Sequence, residues 1–188
     1  MKRTVILLAA GLLLLSSAVA DERPAEKRQE IREVRQDKME IRDIKATINE
    51  LSHRIDLWHD ANLKNDTRRI DRYEKDMFDF INQDILSMAA RLRDSRTEVR
   101  QSQQELQRRR PDPVTKLDDR RDLRDDRWDL KEMTSMLKVK KRLFNSLRNS
   151  WSFSGKYRLL GDYVSVLKCE LDRTRIEFAE DVEELRER

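Results

Sequence analysis

Residues 70–106 read IDRYEKDMFDFINQDILSMAARLRDSRTEVRQSQQEL. In this stretch Ile70, Tyr73, Met77, Phe80, Ile81, Ile85, Met88, Leu92, Val99 and Leu106 fall at alternating steps of three and four residues, with one shift of phase near 80–85. A strand would alternate every second residue, whereas a mean spacing near 3.5 keeps one apolar seam on one face of a helix. The same spacing recurs outward in both directions. Upstream it runs through Val34, Ile41, Ile44, Ile48, Leu51, Ile55 and Trp58, interrupted at Asp37. Downstream it runs through Leu123, Leu130, Met133, Leu137, Phe144, Leu147 and Trp151, then through Tyr157, Leu160, Val164, Leu167, Leu171, Thr174, Phe178, Val182 and Leu185. Charged residues make up 41% of the chain, with only three Gly and three Pro, a composition of coiled coils and long helices rather than sheets.

Three breaks divide these runs. Pro111-Asp112-Pro113 is the firmest, because proline removes a backbone donor and restricts the residue before it. Thr115 after it reads as an N-cap, with Asp118 completing a capping-box-like pair. Asn149 to Gly155 is a second turn, and Asn62 to Asp66 a weaker third in which no residue forbids a continuous helix. The expected architecture is all-α: an elongated antiparallel four-helix bundle or coiled coil, with helices near 27–61, 66–109, 116–149 and 156–187. Helices of about 33 to 44 residues would run roughly 50–65 Å. The alternative keeps 27–109 as one rod of roughly 125 Å with the later hairpin folded against it.

A shift of 89 residues lays Arg32–Ile44 over Arg121–Met133 with charge sign or apolar character kept at all positions but Gln36/Asp125. The chain therefore reads as two related helical hairpins, 21–110 and 116–188, joined by a Pro-containing linker at 111–115.

The first twenty residues carry an address. Lys2 and Arg3 precede the apolar run Val5–Leu15, and Ala18-Val19-Ala20 supplies the small-x-small pattern of a cleavage site, so residues 1–20 read as a signal peptide. The run is shorter than the roughly 20 residues a span needs, so no transmembrane segment is expected after cleavage. With one cysteine and no disulfide framework, the expected compartment is the periplasm, the alternative being secretion. Cleavage removes two basic residues and no acid, leaving 39 against 37, a net charge of +2. Both signs alternate in stretches such as Arg120–Arg127, the pattern of a solvated face laced with ion pairs, and nucleic acid is not an expected partner.

Enzymatic constellations do not assemble. Glu50-Leu51-Ser52-His53 matches the Glu-x-x-His unit of a di-metal carboxylate bundle once, but the second unit is missing and His53 falls on the outer face. Cys169 has no histidine on its helix, and no nucleophile elbow, phosphate loop or dinucleotide fingerprint occurs. The paired carboxylates sit among Arg and Lys on faces read as solvated. No catalytic residue, cofactor or metal is assigned, and the protein is expected not to be an enzyme.

Two functions remain. One is a non-catalytic structural or adaptor protein of the cell envelope, binding a protein partner or its own copies. The other is a periplasmic holdase chaperone or stress protein, although the Leu-Thr-x-x-Gln motif of small helical periplasmic chaperones is absent. Trp128 and Met39 are the candidate partner-binding residues, because both lie off the seam among charged neighbours, and Trp is enriched at binding hot spots. Cys169, also off the seam, is the candidate for a disulfide between chains.

Overall fold

A computed structural model describes the backbone of residues 3–108 and 113–187, and the side chains of 31–107 and 120–186 apart from Glu33, Glu105, Asp122 and Glu184. It contains four helices and no strand among the described residues: α1 (Arg3–Leu63), α2 (Thr67–Arg108), α3 (Pro113–Asn149) and α4 (Phe153–Glu187). The chain is all-α, as the periodicity predicts, and its helices pack against each other as a bundle.

The weakest sequence break is a true turn, so the single-rod alternative fails. Asp66 N–H donates to Ala61 C=O at 3.0 Å and Asn65 N–H to Asn62 C=O at 3.1 Å, the paired closing bonds of a Schellman motif. That motif needs a left-handed residue, and Asn65 supplies it with φ 52°. Asparagine tolerates this conformation better than other residues with a Cβ. Asp66 then caps α2, its Oδ1 accepting from Arg69 N–H at 3.2 Å. At the other turn Ser152 caps α4 by accepting from Gly155 N–H at 3.1 Å. A Cβ on Gly155 would stand 2.6 Å from that hydroxyl and push it aside, so glycine there leaves the capping hydroxyl in place.

Two boundaries differ from expectation. α1 begins at Arg3 rather than near 27, because the Leu- and Ala-rich leader is itself a good helix former. The side chains of the expected signal segment and of Thr115 and Asp118 lie outside the described residues. Pro113 occupies the first position of α3, where its fixed φ suits the helix and its missing N–H costs nothing, so Thr115 falls inside the helix and is not its cap.

The chain divides into two compact units. The larger, Ala46–Glu170, holds a core of Leu51, Ile55, Trp58, Met77, Ile81, Ile85, Met88, Leu92, Leu137, Leu147, Leu160, Tyr163 and Leu167. Each large side chain buried here contributes about 1.5–3 kcal/mol of transfer free energy. Within this unit α2 and α3 run antiparallel, with Phe78 against Phe144 and Asp84 against Lys140. α2 and α4 run parallel, with Asp84 against Tyr163 and Arg91 against Glu170 at a constant offset of 79 residues. The smaller unit, residues 1–45 and 171–188, buries Ile44, Leu171 and Thr174.

One seam residue is misplaced by the spacing argument. Trp151 stands four residues after Leu147 but is 98% exposed, because α3 has already ended at Asn149.

Candidate functional site

The core of the larger unit contains a charged cluster that the sequence reading did not find. Lys140 of α3 is fully buried. Its Nζ donates to Glu170 Oε2 at 2.6 Å and to Asp84 Oδ2 at 3.0 Å. Tyr163 O–H donates to the same Asp84 oxygen at 2.6 Å, and Arg91 Nη2 donates to Glu170 Oε1 at 2.7 Å. Two residues of α2 seven apart, two of α4 seven apart and one of α3 thus meet in one network. Two positive charges face two negative ones, so each buried charge is paired, the condition under which burial is tolerated. Burial above all, then the charge of Asp84 and its hydrogen bond, push the Tyr163 phenol above its ordinary pKa of about 10. The expectation that carboxylates stay on solvated faces fails at Glu170, which is buried, and at Asp84, whose side chain is 14% exposed. The Lys140 ammonium is committed to two carboxylates, so the cluster is an element of packing rather than a free nucleophile or base.

The second concentration of chemistry lies at one end of the same unit, where the α1–α2 and α3–α4 turns meet. Trp58 of α1 stacks on Phe153 of α4 at 4.8 Å, and His59 lies 5.2 Å from the Tyr157 ring. Trp58 Nε1 is buried without a hydrogen-bond partner among the described residues. Around this cluster Trp151 and Leu63 project into solvent. The α3 face leading to Trp151 carries Lys138, Lys141, Arg142, Asn145, Ser146 and Asn149, which line a shallow hollow. From Met133 to Gly161 the chain has seven basic residues and no acidic one. Alternation of charge, read from Arg120–Arg127, therefore does not extend to this stretch.

A third feature is a 470 Å³ groove floored by the Phe78–Phe144 edge contact and walled by both signs, Asp71, Glu74 and Asp79 against Lys75 and Arg148.

The residues singled out from sequence stand apart from these clusters. Trp128 is 59% exposed on α3, with Lys131 Nζ 5.2 Å from its ring centroid, and Met39 is 66% exposed on α1. Cys169 is an exposed free thiol. His53 is exposed, while Glu50 of the same four-residue match pairs with Arg54 at 2.8 Å. Among the described residues no three His, Cys, Asp or Glu side chains converge as metal ligands, and no helix is long and apolar enough to cross a membrane. Set against known protein families, curated proteins and solved structures, the chain matches none of them.

Proposed function

We propose that this protein is an exported, non-catalytic helical interaction protein of the cell envelope, processed after Ala20 and docking a protein partner on the outer face of α3. The basic-then-apolar leader ending in Ala18-Val19-Ala20 supports export to the periplasm. The observation that carries the interaction reading is the exposure of Trp128 on a helix whose neighbouring surface is charged. Burying that ring against a partner recovers the free energy it forfeits to water, and the side chain type is a common hot spot.

Trp128→Ala tests this directly. Stability should change by no more than about 0.5 kcal/mol, as for a surface substitution. A photo-crosslinking residue at position 131, next to the ring, should give a discrete adduct in the envelope that is lost when Trp128→Ala is added. If Trp128→Ala unfolds the chain, the ring belongs to the core and the reading is wrong. The holdase alternative draws on exposed Leu86, Val139 and Ile176, and it requires that the protein suppress aggregation of an unrelated denatured client.

A further inference from the structure

We infer that the larger unit docks on an anionic lipid surface through the outer face of α3 and the turn that follows it. The acid-free stretch Met133–Gly161 carries seven positive charges, and the exported chain only +2 in all, so the remainder is −5. Positive charge is thus concentrated where the rest of the protein would be repelled by the same surface. Two of the seven are consumed internally: Lys140 in the core network and Lys156 in a pair with Glu74. Lys138, Lys141, Arg142 and Arg158 are exposed and have no ion-pair partner among the described residues, while Arg148 lies over the ring of Phe144 in the groove it shares with Asp71 and Glu74 and is not counted. A solvated protein face with alternating charge would have neutralised several of them. This one leaves them to an external anion.

The apolar part of the site is equally particular. Trp151 follows the basic face directly, in the three-residue gap between α3 and α4, and is 98% exposed. Tryptophan is the side chain most at home among lipid headgroups, where its ring is sheltered and its N–H stays wet. Leu63, on the neighbouring turn, is 68% exposed and adds a second aliphatic contact. The stacked Trp58, Phe153 and Tyr157 rings beneath brace this end, so inserting Trp151 needs no rearrangement. Basic side chains near an anionic leaflet together with one aromatic anchor make a reversible surface attachment rather than an insertion. The site is more than two helical turns from Trp128, and its failure would leave the protein-docking reading of that residue intact.

The test is cosedimentation of the exported chain with vesicles of phosphatidylcholine alone or with about a third phosphatidylglycerol. Binding is expected to the anionic vesicles, weakening strongly when salt is raised from about 0.1 M to about 1 M and the Debye length falls from about 10 Å to about 3 Å. Lys138→Gln/Lys141→Gln/Arg142→Gln should weaken it on the order of a hundredfold, about fivefold for each basic side chain near the surface. Trp151→Ser should weaken it severalfold without changing helicity, since the ring packs on nothing. Arg93→Gln/Arg96→Gln/Arg100→Gln, an equal charge change on the exposed face of α2, should leave binding within about twofold. Equal binding to both vesicle types, an equal loss in the α2 variant, or a Trp151-dependent dimer in the absence of lipid would each overturn the proposal.

Discussion

Replacing Lys140 by methionine keeps most of the aliphatic stem in its buried slot and removes only the ammonium. Glu170 then loses its 2.6 Å donor but keeps Arg91, while Asp84 loses a 3.0 Å donor but keeps Tyr163. Breaking a buried pair by deleting one partner costs about 3–5 kcal/mol, because an uncompensated charge stays behind. The surviving donors place this case near 3 kcal/mol. For a chain of this size each kcal/mol moves the melting point by about 2–4 °C, so a drop of roughly 6–12 °C is expected. Thermal unfolding followed by circular dichroism at neutral pH measures it. The double variant Lys140→Met/Glu170→Met removes both members of the buried pair, and its stability should recover toward the parent, since a well-packed apolar pair often replaces a buried ion pair without loss. A double variant less stable than Lys140→Met, or a single variant as stable as the parent, would refute the reasoning.

Three further outcomes follow from the same geometry. Of the three tyrosines, Tyr163 should be silent in an alkaline absorbance titration until the protein unfolds. Its folded pKa lies above the unfolded value near 10, so its contribution is intact below pH 10 and stability falls as pH rises beyond that. Leu51→Ala, at a fully buried seam position, should cost about 2–5 kcal/mol in denaturant unfolding, and a cost below 1 kcal/mol would remove Leu51 from the core. Cys169 should react fully with a thiol reagent in the native state, and only monomer on non-reducing gels after oxidation would end the intermolecular-disulfide reading.

The apolar seams were legible because each needs only a residue type and a spacing. Met77, Ile81, Ile85, Met88 and Leu92 are buried where the three-and-four rhythm puts them. The charged cluster was not, because what makes Lys140 tolerable in a core is supplied by α2 and α4, far away in sequence. One local sign existed. The α3 seam steps seven residues from Leu137 to Phe144, leaving a place that Lys140 fills, and the 89-residue shift sets Lys140 over the buried Leu51. The spacing selects Val164 rather than the buried Tyr163, since periodicity alone cannot know that Asp84 waits for a phenol. Trp151 failed for the opposite reason: spacing carried the seam one step past the end of its helix. Trp128, Met39 and Cys169 are exposed as their offset from the seam requires, but exposure is as far as spacing reaches.

The left-handed Asn65 has a consequence for which surface α1 packs against. A single backbone angle makes α1 turn back onto α2 instead of continuing it, and Asp66 only completes what that angle begins. A β-branched residue at 65, such as valine, disfavours the left-handed state and leaves straight helix as the cheaper path. A straightened α1 could then find the surface it covers only on another molecule, and two chains would exchange first helices, with size-exclusion chromatography showing a dimer that dilutes apart slowly. Asn65 in that sense decides whether α1 packs on α2 of its own chain or of another.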